Sequence, residues 1–304
     1  MLLTQMNNES ELPRVVSWLR KLWAVVWRFA ILLTVWGILL APFMLLFRDS
    51  LGQAKTWAGL WVWIFFEICG TFTLLAAIWG MLRFTDHRHL LSIGLHGSRA
   101  FRDIGWGILF GIGMIALSVL LLLITGNARV EIDGAVNGIV LLLAGVAVFL
   151  NAATQELLVR GYILQTIQSR YGAAAAVFVS SLIFAAMHPQ VFAGGTPLPA
   201  LNLFLIGLVF ALAYVRTGNL WLPIAFHFGW NWLLGPVFGL MVSGRNISCT
   251  WQLVKVDGSD WITGGSFGIE GSPAATVACL IGLLLVHFIC RKRQIPIFSK
   301  RNFR

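Results

Sequence analysis

Six polar side chains sit where an apolar chain should not tolerate them. Gln155, Glu156 and Arg160 lie in TQELLVRGYILQ, directly after the apolar run NGIVLLLAGVAVFLNAA. His188 closes FAAMH, and His227 and Asn231 bracket HFGWN, each in another apolar run. A carboxylate or a guanidinium at bilayer depth costs ~2.5–3.5 kcal/mol on insertion scales, so such groups are expected to be paired or used. Glu156 and Arg160 are spaced i, i+4 with the acid first, the favourable order for a helical ion pair. A neutralising clamp is the plain structural reading. A single intramembrane histidine is ordinarily a hydrogen-bonded packing residue. Two imidazoles, an acid, an Arg and an Asn spread over three apolar segments are instead the groups of a functional site. His227 and Asn231 share one helical face a turn apart, with Gly229 leaving room beside them. Pro189 disfavours helical geometry at His188.

The elements that carry these groups follow from composition. The 304 residues are 58% hydrophobic and 11% charged, against about 25% charged in ordinary soluble domains. The chain reads as an all-α polytopic membrane protein with about eight transmembrane helices of about 20 residues each. The runs fall near 29–47, 57–82, 104–125, 138–157, 172–192, 198–215, 219–241 and 273–290. The net charge of +10 is a topology signal, and nucleic acid is not an expected partner. With the N-terminus in the cytoplasm, only Arg48, Lys55, Arg129, Arg245 and Lys255 of the 22 Lys and Arg fall outside. The positive-inside rule then places both termini in the cytoplasm of a cell membrane.

Predicted depth first separates the polar groups, because Gln155 ends one run near the inner face and His188 ends the next near the outer face. A helix continuing past residue 155 to a turn at SRYG, Ser169 to Gly172, removes the conflict. Gln155 and His188 are then equally far from the turn and level in an antiparallel hairpin. His227 begins eight residues into its own helix from the same side. One site is geometrically permitted.

Glu-Glu-x-x-x-Arg-Gly, then Phe-x-x-x-His, then His-x-x-x-Asn on separate membrane helices is the pattern these residues resemble. It is similar to that of the CAAX protease and bacteriocin-processing family of intramembrane endopeptidases, and QELLVRGYILQ and FHFGWNWLLG resemble its bacterial members. The resemblance covers the family's core of four helices. It implies peptide-bond hydrolysis inside the membrane, with Gln155 and His188 at the water, His227 and Asn231 at the oxyanion, and Glu156 paired with Arg160. The implied partners are the lipid bilayer and a membrane-embedded or lipidated peptide substrate. This chain departs from the pattern at Gln155, where the family has its first Glu. An amide holds a water but cannot take its proton. Three explanations stay open: Glu156 acts as base, the chain is a non-catalytic relative that binds or sequesters membrane peptides as in bacteriocin immunity, or the Gln was introduced to trap substrate.

On this reading residues 1–137 are N-terminal membrane helices with a basic amphipathic surface segment at 84–103. Residues 138–241 are the catalytic core. Residues 242–304 are an extracytoplasmic loop, a last membrane helix and a basic cytoplasmic tail. WQLVKVDGSDWI is expected to form a hairpin at its Asp-Gly. Glu156, His188 and His227 make a His₂Glu set as in some catalytic zinc sites, but no HExxH is present and the sequence demands no metal. A transporter would favour two halves with paired broken helices, which are not evident, and a bis-His haem site would use His188 and His227. Glu67, in WVWIFFEICGTF, is a further intramembrane acid, expected to find a buried partner or to line the substrate path.

Overall fold

The computed structural model describes residues 14–47, 57–192, 195–247 and 251–290. Cys249 and the basic tail beyond residue 290 lie outside the described residues. Six helical stretches are long and apolar enough to cross a membrane among the described residues. Helix α1 spans Arg14–Phe47, and α2 spans Trp57–Gly80 and runs on as a π-turn, Met81–Asp86. Helix α3 spans Ala100–Ile124. Helix α4, Gly138–Glu156, passes through a π-helical stretch, Leu157–Leu164, into α5, Gln165–Ala186. Helix α6 is Leu198–Thr217, and α9 is Pro273–Cys290.

The long stretch from residue 138 to 186 is two spans. Its reversal is at Gly172, whose φ of 84° and ψ of 172° are not helical. That region is open essentially to glycine alone. The reversal lays Phe184 beside Arg160, whose guanidinium carbon is 4.5 Å from the ring centre. Helix α7, Trp221–Trp232, with its π-turn Leu233–Val237, is shorter than the other spans. It and the folded-back hairpin complete the expected eight.

Close backbone approach fixes α7 on α3. A Cβ built on Gly111 would fall 2.2 Å from the Phe226 carbonyl oxygen, and one on Gly229 would fall 2.9 Å from that of Ile108. The space at Gly229 therefore serves α3, not the polar groups beside it. Helix α1 is the opposite case. It packs on α2 but leaves Trp23, Ile38 and Leu46 exposed, as expected of a helix whose surroundings are lipid.

One departure from the sequence reading concerns a connection. Strand β2, Trp251–Val256, does not turn back at Asp257-Gly258. It pairs antiparallel with β1, Ala128–Gly134, from Ala128 opposite Val256 to Gly134 opposite Trp251, with an irregularity between Val130 and Asp133. A short helix α8, Asp260–Thr263, takes the place of a returning strand. The 84–103 segment runs from the π-turn after α2 to the first turn of α3. It forms two short 3₁₀ turns that bury Ile93 and close the bundle end: the Gly94 carbonyl accepts the Leu220 amide at 2.9 Å, and Tyr214 donates to the Ile93 carbonyl at 2.9 Å.

Candidate active site

A cavity of 390 Å³ between α1, α2, α4, the end of α5 and α7 is lined by Glu67, Asn151, Gln155, His188 and Asn231, with Arg245 from the loop after α7. A larger groove of 640 Å³ lies beside the β-strands and holds none of the six predicted residues. The predicted residues divide into two groups. Gln155, His188 and Asn231 are on the cavity wall. Glu156, Arg160 and His227 form a buried cluster behind it.

His188 owes its position to a helix end. Helix α5 stops at Ala186, and Pro189 opens a short 3₁₀ turn, so the imidazole stands just beyond the last helical turn. Its Nδ1 lies 2.9 Å from the Phe184 carbonyl oxygen. A carbonyl only accepts, so Nδ1 carries the proton and Nε2 keeps its lone pair.

Behind the wall, one carboxylate oxygen of Glu156 accepts from Arg160 Nη1 at 2.9 Å and from His227 Nδ1 at 3.0 Å. Arg160 Nη2 donates to the Gly207 carbonyl on α6 at 2.9 Å. Phe184 and Phe210 lie against the guanidinium, and Phe210 also stacks on His227 with ring centres 5.0 Å apart. Glu156 and Arg160 have no exposed side-chain surface. The pair is only partly satisfied, because Glu156 Oε2 and Arg160 Nε are buried with no hydrogen-bond partner among the described residues, in a setting where each unmet bond is costly. The i, i+4 clamp is real, and it extends across helices to a third member.

The cavity wall also holds groups that the motifs did not contain. Glu67 Oε1 accepts from Trp63 Nε1 at 3.1 Å and from Asn151 Nδ2 at 3.0 Å. Asn151 Oδ1 in turn accepts from Gln155 Nε2 at 2.8 Å. Asn151 carried a sequence signal, as a lone carboxamide four residues before Gln155 in an apolar run. Glu270 carried less. Buried between α7 and the 242–245 loop, it accepts from Trp230 Nε1 at 2.8 Å and from the Ser243 amide. It thereby fastens the 242–245 loop over the cavity.

The His₂Glu set does not fit a zinc centre. His188 is on the wall while Glu156 and His227 are bound to each other behind it, and Arg160 occupies the carboxylate oxygen they share. Among the described residues no three His, Cys, Asp or Glu side chains converge as ligands.

Residues 137–233 match the family model described as type II CAAX prenyl endopeptidase Rce1-like. This segment is an Rce1-like domain. The resemblance read from the three motifs holds over it, and all six predicted residues fall inside the Rce1-like domain. An Escherichia coli protein described as an uncharacterized 24.3 kDa protein is 32% identical over 109 residues, which are 35% of this chain and 48% of that protein. The match thus spans about half the length of that relative. No solved structure matches. Glu67 lies outside the Rce1-like domain.

Proposed function

We propose that this protein is an intramembrane endopeptidase that hydrolyses a peptide bond of a membrane-embedded or lipidated peptide. The carrying observation is the meeting of Gln155, His188 and Asn231, from three separate elements of an endopeptidase-like domain, on one cavity. In this reaction a water donates to His188 Nε2 and to Gln155 Oε1, a buried oxygen with no hydrogen-bond partner among the described residues. Bound to both, it turns a lone pair outward, towards a substrate carbonyl. His188, the stronger base of the two, takes the proton as the oxygen attacks, a contribution of typically 10²–10⁴-fold. It then returns that proton to the leaving amine. The Asn231 carboxamide, on the cavity wall, supplies a donor for the oxyanion. Glu156 accepts from His227 Nδ1 and so fixes the orientation of that ring, one turn before Asn231 on α7.

One observation favours a second reading. The acceptor beside His188 is an amide, and the nearest α4 carboxylate is turned away from the cavity, as suits a non-catalytic relative that binds such peptides. The test is cleavage of a quenched-fluorescent peptide ending in a farnesylated CAAX sequence by the purified protein in detergent. Cleavage that His188→Ala abolishes supports the endopeptidase. Binding of the peptide without cleavage supports the second reading.

A further inference from the structure

We infer that Glu67 is a positioning residue of this site: through Asn151 it fixes which end of the Gln155 amide faces the cavity. The inference rests on the endopeptidase reading above. It starts from an ambiguity every glutamine carries. A carboxamide has one end that accepts and one that donates, and rotation by half a turn exchanges them. With its oxygen outward, Gln155 accepts from the water and helps aim its lone pair at a carbonyl. With its nitrogen outward, it would donate to that lone pair and occupy the electrons needed for attack. A carboxylate at this position has no such wrong end.

The polarity is set two residues away. The Glu67 Oε1 atom accepts from both Trp63 and Asn151. A bond to that oxygen must come from Asn151 Nδ2, which leaves Asn151 Oδ1 to face Gln155. That oxygen in turn requires the Gln155 nitrogen, at 2.8 Å. The Gln155 oxygen is what remains, and it is buried with no protein partner. Asn151 and Gln155 are one turn apart on α4, so the relay needs only one neighbouring helix. That helix is α2, which carries Glu67 at 9% exposure. Glu67 touches neither the water nor the peptide in this account. It acts by orientation.

The experiment measures kcat and KM on the farnesylated quenched peptide for four proteins of matched thermal stability in detergent. Glu67→Gln keeps an oxygen that accepts from Trp63 and Asn151, so it is expected to retain the kcat of the parent protein. Glu67→Leu removes the acceptor and frees both amides to turn. Its kcat is expected to fall by about 10- to 100-fold, the size of one hydrogen bond to a developing charge, with KM unchanged. Adding Gln155→Glu to Glu67→Leu is expected to recover most of the loss, because a carboxylate accepts at both oxygens. Three results would each overturn the inference and leave the endopeptidase standing: Glu67→Leu as active as the parent, Glu67→Gln as impaired as Glu67→Leu, or no recovery on adding Gln155→Glu. A parent protein that binds the peptide and never cuts it would instead remove the endopeptidase reading and this inference with it.

Discussion

His227 donates through Nδ1 to a Glu156 carboxylate oxygen 3.0 Å away, the same oxygen that Arg160 already holds. A buried charge that loses its partner costs far more than the pair is worth. Arg160→Met is therefore expected to lower stability by ~3–5 kcal/mol. The double variant Glu156→Gln, Arg160→Met is expected to be less damaged than Arg160→Met alone. Unfolding in mixed micelles, analysed as a double-mutant cycle, checks it. Additive effects would mean that the pair does not act as a pair.

Gly172 and Gly111 should fail for different reasons. A Cβ on Gly172 meets nothing within 4 Å, so Gly172→Ala costs only backbone strain, about 1–3 kcal/mol. Gly111→Ala forces a Cβ onto the Phe226 carbonyl and must move α7 off α3. The melting temperature is expected to fall more for Gly111→Ala, and its activity should fall with it.

The strand pair outside the bundle should respond to acid. Lys255 and then Arg129 hold the Glu131 carboxyl below the ordinary carboxylate range. A carboxyl whose folded pKa is depressed adds stability above its unfolded pKa and loses it as pH falls through the folded one. Protection factors of the β1 and β2 amides, corrected for the intrinsic pH dependence of exchange, are expected to be steady from neutral pH down to the usual carboxylate range and to fall below it. Lys255→Ala should shrink that change, because it brings the folded pKa of Glu131 closer to the unfolded one. The groups are exposed, so added salt should shrink the effect.

The proposed orientation has both termini in the cytoplasm and the β-strands outside. Cys69, Cys279 and Cys290 are buried, which leaves Cys249 as the thiol for an impermeant maleimide. Labelling of intact cells is expected, and labelling only after permeabilisation would invert the topology.

What the sequence made legible were contacts with a spacing rule. Glu156 and Arg160 announce themselves at i, i+4, and the hairpin turn follows from the equal distances of Gln155 and His188 from SRYG. The bond from His227 to Glu156 crosses 71 positions, and no local periodicity encodes it. The same holds for Glu67 and Asn151, which meet only because α2 packs on α4. Strand β1 escaped notice because its partner lies beyond α7, while the Asp-Gly that pointed to a local hairpin leads into α8. Which face of α4 carries Glu156 and which Gln155 was also hidden. Adjacent residues on a helix point about 100° apart, and only tertiary packing decides which of the two meets a cavity.

The reversal at Gly172 has a consequence for which changes the chain can absorb. Arg160 and Phe184 stand at equal distances either side of it, so the two arms behave like the jaws of a caliper. One residue inserted into either arm would slide that jaw by ~1.5 Å and swing it by ~100°. Arg160 would leave the Phe184 ring, and Gln155 would no longer share a wall with His188. Substitutions along these arms need preserve only size and polarity. Insertions and deletions break the alignment whatever residue is used, so the segment between Gln155 and His188 is constrained in its length more strictly than in its letters.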